Sequence, residues 1–129
     1  MLSIVAAISG LYDFLVGAFL LLAPGFFASL FGVAPASPPI FSDLNALFLL
    51  SIGAGYYFPW REPQRYRWYV WLMGPGLKGA GAAAFLIDYL TRGSPRSFLL
   101  FAASDGALAI AALVALVTTR RTIPTTPNS

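Results

Sequence analysis

Three ionisable residues sit inside apolar stretches of this chain: Asp13, Lys78 and Asp105. Lys78 lies near the middle of the apolar stretch 66–90, Asp13 interrupts the first such stretch, and Asp105 falls within the last. A charge at the centre of a membrane helix costs at least about 2.5–3.5 kcal/mol, so such groups usually pair or carry function. The chemistry open to this set is ion pairing, proton or ion relay, or anchoring of a polar headgroup. With two carboxylates and one ammonium, one carboxylate is left over. It must be protonated, hydrated or matched by an external cation.

Much other chemistry is excluded. The chain has no Cys and no His, which removes disulfides, haem ligation by His, His-rich metal sites and His-based nucleophilic catalysis. It contains no G-x-S-x-G motif and no phosphate loop. Ser104 beside Asp105 is not a nucleophile arrangement, because adjacent helical residues face differently. Neither catalytic residues, a metal site nor a cofactor is expected. The net charge of +3 falls on short loops and the C-terminal end, where topology signals lie, and does not mark a nucleic-acid binder.

The elements that carry these residues are membrane spans. Of 129 residues, 58% are hydrophobic and only 10% charged, with mean hydropathy +0.75. A soluble domain carries roughly 25% charged residues. Apolar runs at 2–22, 41–58, 66–90 and 97–118 each approach the ~20 residues that cross a hydrocarbon core. The fold expected is therefore all-α: a four-helix transmembrane bundle over 1–121, followed by a disordered polar tail at 122–129. The first run lacks a basic flank and is interrupted by Asp13, so it reads as a retained helix and not a cleaved signal.

Between helices one and two, Pro24, Pro35, Pro38 and Pro39 forbid one continuous helix. The apolar segment 25–32 within this link is too short to span and is expected to lie in the interface. Ser42 or Asp43 is a candidate N-cap for helix two. Arg61, Arg65, Arg67, Arg120 and Arg121 fall on one side of the bundle, against Arg92 and Arg96 on the other. That places both termini in the cytoplasm. Trp60, Tyr66, Trp68, Tyr69 and Trp71 suit the aromatic belt on the same side.

At 1.5 Å per residue, Lys78 lies about 18 Å from either end of its run, Asp13 about 14 Å below the outer end of helix one, and Asp105 about 12 Å below the outer start of helix four. All three can share one layer, with Asp43 higher, near the outer mouth of helix two. Small residues three or four positions away (Gly10 and Gly17, Gly74 and Gly81, Ala102 and Ala109) turn each charge toward the bundle interior. On helix two, Asp43, Leu47, Ser51 and Ala54–Gly55 form the corresponding stripe. Tyr12 and Tyr56 could donate hydrogen bonds near this layer. Gly74, Pro75 and Gly76 precede Lys78, so a kink or hinge is expected there, or close packing against helix one or two. Asp88 and Arg92 make a helical i,i+4 pair, and Glu62 pairs with a neighbouring arginine in its loop. A buried ion pair that fixes helix register is the structural alternative to any ligand, proton or ion site.

Gly10-Leu11-Tyr12-Asp13 with Gly17, Leu77-Lys78 after a glycine-rich turn, and Ser104-Asp105-Gly106 give a layout that resembles the DoxX-like group of small bacterial four-helix membrane proteins. The resemblance covers most of residues 2–118. It implies an accessory subunit of a membrane redox or stress-response system. A more distant likeness is to the sterol-isomerase and sigma-receptor fold, which binds an apolar cation in an acidic pocket. This chain lacks the His and Glu residues such an isomerase would use. The expected function is a non-enzymatic accessory subunit of the bacterial inner membrane, or a binder of a small apolar molecule (a lipid or quinone). Such a protein partners the bilayer and either another membrane protein or its own copies. A proton- or ion-coupled transporter using the Asp/Lys layer is the alternative, and an isomerase-like enzyme the third.

Overall fold

A computed structural model describes residues 1–119. Arg120, Arg121 and the tail 122–129 lie outside the described residues. Within them the chain is all helical, with no strand. The elements are α1 (Leu2–Leu22), α2 (Pro24–Leu30), α3 (Ile40–Gly55), α4 (Tyr57–Arg61), α5 (Arg67–Trp71), a π-helical segment (Leu72–Lys78), α6 (Gly79–Arg92), a 3-10 turn (Arg96–Phe98) and α7 (Leu99–Thr118). Three helices are long and apolar enough to cross a membrane: Leu2–Leu22, Arg67–Arg92 and Arg96–Thr118. The helix α3 has only 16 residues, about 24 Å at 1.5 Å each.

Local chemistry explains the breaks. Pro24 occupies the first turn of α2, where a missing N–H costs nothing. Gly32 closes α2 with φ 67°. Its N–H donates to Ser29 O and that of Val33 to Ala28 O, the paired bonds of a glycine-terminated helix. Gly93, at φ 68°, ends α6 in the same left-handed conformation. Pro39, and not Ser42 or Asp43, sits at the N-cap of α3, and no side chain caps it. The helix begins earlier than its polar residues suggest, so Asp43 falls in the first turn, where the helix dipole favours a carboxylate.

Pro75 lies inside a continuous helix. The chain accommodates it by widening to π geometry over Leu72–Lys78. One extra residue in the turn makes room for the ring and its missing N–H. Gly74 there packs on α7 and not on helix one or two: a Cβ at Gly74 would lie 2.7 Å from Ala112 Cβ.

The helices α1 and α3 make the closest contact. A Cβ on Gly53 would lie 2.6 Å from Phe14 N, and one on Gly17 2.9 Å from Ala46 O. The helix α7 packs on α6, on the π segment and on α1, while α3 has its extensive contact with α1 alone among the long helices. A gap therefore remains on the other side of α3.

The two ends of the bundle differ. At one end Leu2, Val70, Ala112, Ala115 and Leu116 form a buried core with Val5 packed against it. Ser3 Oγ donates to Trp60 O at 2.6 Å there, Tyr69 Oη donates to Ile52 O, and Arg67 donates to the carbonyl of Leu116. At the other end α2 lies against the start of α7. Ser97 Oγ donates to Phe31 O at 2.6 Å, and Phe31 stacks on Phe101 with centroids 4.7 Å apart.

Candidate functional site

Three helices converge on a polar layer halfway along the bundle. From α1 comes Asp13, 2% exposed; from the last residue of the π segment comes Lys78, 4% exposed. Lys78 Nζ donates to Asp13 Oδ1 at 2.5 Å. The ammonium also lies 5.2 Å from the centroid of the Tyr12 ring, a range that favours attraction by the ring face. Tyr12 Oη and Ser104 Oγ share a 2.6 Å hydrogen bond, which joins α1 to α7. Asp105, one residue on, is half-buried. Gly81 of α6 leaves room beside it: a Cβ there would stand 3.6 Å from Asp105 Oδ2.

The charges are unevenly satisfied. Lys78 is paired with Asp13 and not with Asp105. Among the described residues, no hydrogen bond or ion pair reaches the Asp105 carboxylate. Asp13 Oδ2 is buried without a hydrogen-bond partner. The polar layer thus contains one closed ion pair and spare acceptor capacity on two carboxyl groups.

Above this layer is a cavity of about 720 Å³, within the range of small-molecule sites. Tyr12, Asp13, Lys78 and Asp105 form its polar floor, and Phe27, Phe85, Phe98, Phe101 and Leu20 contribute its apolar wall. On α3 the lining face is Ser42, Asn45, Leu49 and Ile52, spaced three or four apart as one helical face requires. Phe41, Asn45, Phe48 and Leu77 line the cavity yet are themselves exposed. They mark a sideways mouth in the gap between α3 and the π segment.

The arrangement gathers four of the six residues expected from sequence and leaves two outside. Asp43 does not line the cavity. Tyr56 is 1% exposed, but it packs between Gly10 and the Tyr69 ring and lines a separate shallow groove. Ser9 lies close to its hydroxyl, which is buried and makes no hydrogen bond among the described residues. Of the expected hinge, Gly74, Pro75 and Gly76 stay outside the lining, and their neighbour Leu77 reaches it. The stripe Asp43, Leu47, Ser51 and Ala54–Gly55 is not the cavity face of α3. Sequence reasoning missed Asn45, whose signal was an amide inside an apolar run, and Ser104, whose signal was a hydroxyl next to Asp105. The pairs Asp88–Arg92 and Glu62–Arg65 form as expected, each at 3.2 Å and on the surface.

Comparison with known proteins finds no match: no family model fits the chain, and no curated protein or solved structure is similar to it. The site's own chemistry is therefore the guide to function.

Proposed function

We propose that this protein is a four-helix membrane bundle of the DoxX-like kind that binds a small apolar molecule in its cavity. It acts by binding or as an accessory subunit, not by catalysis. The observation that carries this reading is the cavity itself: an aromatic and aliphatic wall, a few converging polar groups on one floor, and a mouth that opens sideways. Binding sites for small molecules share this pattern of apolar walls with few placed polar groups.

The membrane setting is supported by the three span-length helices and by outward-facing side chains such as Leu22, Phe41 and Leu90, 82%, 69% and 70% exposed. Apolar surface on this scale belongs against hydrocarbon. The helix α3 serves as the fourth span, with α4 extending it toward the interface. The helix α2 would lie in the opposite interface, and the arginine bias supports the reading with both termini in the cytoplasm, in a bacterial inner membrane. In that setting the mouth between α3 and the π segment faces lipid, so the occupant enters from the bilayer. The packed core below the polar layer argues against a path through one copy, and so against the transporter reading.

The test is occupancy. The full chain is purified from its native membrane into nanodiscs and analysed by native mass spectrometry. A bound small apolar molecule should accompany the wild type. It should fall at least tenfold in Gly81→Leu, which fills the cavity, with helicity retained. No retained molecule in either protein, from any lipid composition tried, would sink the reading.

A further inference from the structure

We infer that the occupant of this cavity is a planar phenol, seated hydroxyl-first, with its O–H donating to the Asp105 carboxyl. This inference rests on the cavity-binding reading above and names its ligand class.

The floor selects a hydrogen-bond donor. Each of its donor groups already has a partner: one N–H of Lys78 meets Asp13 at 2.5 Å, and the Tyr12 and Ser104 hydroxyls share one bond at 2.6 Å, with Ser104 Oγ also meeting Phe101 O at 3.3 Å. The floor groups with no partner at all among the described residues are acceptors: the Asp105 carboxyl and Asp13 Oδ2. Asp13 is almost wholly buried, so no bulk water meets that need. Gly81 leaves the approach to Asp105 open. A carboxyl can accept a hydrogen bond whether or not it carries a proton. A hydroxyl also loses far less hydration than an ammonium on passing an apolar wall. A neutral donor therefore satisfies Asp105 without bringing a second buried charge.

The wall selects a flat ring. Phe101 is the hub of a parallel stack: Phe31 lies 4.7 Å from it at 22°, and Phe85 lies 5.3 Å from it at 21°. Phe85 and Phe101 both line the cavity, and Phe101 lies four residues, about one turn, before Asp105. A planar ring set against these faces gains offset-stacked or edge contacts while its hydroxyl reaches the floor.

The full-length protein in nanodiscs is titrated with para-hexylphenol, para-hexylanisole, hexylbenzene, para-hexylcyclohexanol and para-hexylbenzylamine, with empty nanodiscs subtracted. The phenol is expected to bind at least tenfold more tightly than the anisole, the hydrocarbon and the non-planar cyclohexanol. Asp105→Leu should abolish the preference for the phenol over the hydrocarbon and leave hydrocarbon binding within about twofold. Asp105→Asn, which keeps an acceptor, should retain part of the preference, and it carries the comparison if the leucine variant does not fold. Equal binding of phenol and anisole would overturn the inference. So would tighter binding of the amine or of the cyclohexanol, or a phenol preference that survives Asp105→Leu. If even hexylbenzene does not bind, the cavity reading itself fails.

Discussion

Lys78 Nζ and Asp13 Oδ1 meet at 2.5 Å although 65 residues separate them in the chain. The pair ties the long helix Arg67–Arg92 to α1 at a place where both side chains are buried. Removing one member leaves a buried charge uncompensated, which costs about 3–5 kcal/mol. Lys78→Met alone should lower stability by that amount in denaturant titrations followed by circular dichroism. Lys78→Met combined with Asp13→Leu should recover most of the loss, because replacing a buried pair by apolar residues is often neutral. A double variant no better than the single one would show that the pair does more than balance charge.

The α1–α3 contact depends on a missing side chain. A Cβ at Gly53 would sit 2.6 Å from Phe14 N and 2.8 Å from Gly10 O, both backbone atoms that cannot swing aside. Gly53→Ala should cost about 1–3 kcal/mol by overpacking. Gly25→Ala in α2 meets nothing within 4 Å and should be neutral or slightly stabilising. Thermal unfolding of both variants in one detergent gives the contrast.

The Tyr12–Ser104 hydrogen bond should contribute little alone. Ser104 Oγ has a second bond, to the Phe101 carbonyl at 3.3 Å, so Tyr12→Phe does not orphan it. The expected loss is about 0.5–1.5 kcal/mol. The ring remains beneath Lys78, and the bound molecule should be retained in native mass spectra. A loss above about 3 kcal/mol, beyond what one hydrogen bond supplies, would mean that the hydroxyl organises the whole polar layer.

Asp43 separates the two accounts of α3. It lies outside the cavity lining and in the first turn of its helix. Asp43→Ala should cost only the dipole interaction, about 0.3–1 kcal/mol, and leave occupancy unchanged. Asn45→Leu, on the lining face, should alter occupancy at little cost in stability. The opposite pattern would restore the stripe that the sequence suggests.

Three of the four expected spans appear as span-length helices, whereas the run 41–58 divides into the shorter α3 and α4. Each apolar run is bounded by Pro, Gly or charge, and α1 occupies the expected residues, Leu2–Leu22. The polar layer was legible in membership, because an isolated charge in an apolar run has few places to point. Which carboxylate meets Lys78 was not, since Asp13 and Asp105 lie at similar depths and only packing chooses. The facing of α3 was misread for a related reason. Nearly every residue from 44 to 52 is apolar, so polarity gives no dominant face. The deciding feature is steric: Ala46 and Gly53 are buried and bring the helix against α1, which turns Ser42 and Asn45 toward the cavity. The π segment lay beyond reach because Gly74-Pro75-Gly76 announces a disturbed helix without fixing how the disturbance is absorbed.

That segment acts as a phase adjuster between two halves of one rod. On the near side lie Arg67 and Tyr69, whose hydrogen bonds to Leu116 O and Ile52 O anchor that end of the helix; at its far end is Lys78. Each residue added to an α-helix rotates the remainder of the rod by about 100°. Deleting a single residue from the segment would therefore swing Lys78 off Asp13 while Arg67 and Tyr69 stayed in place, or drag those two off their carbonyl partners while Lys78 stayed. A point substitution changes one side chain, whereas an insertion or deletion here changes the azimuth of everything beyond it. Length, as much as identity, is what this stretch of sequence has to preserve.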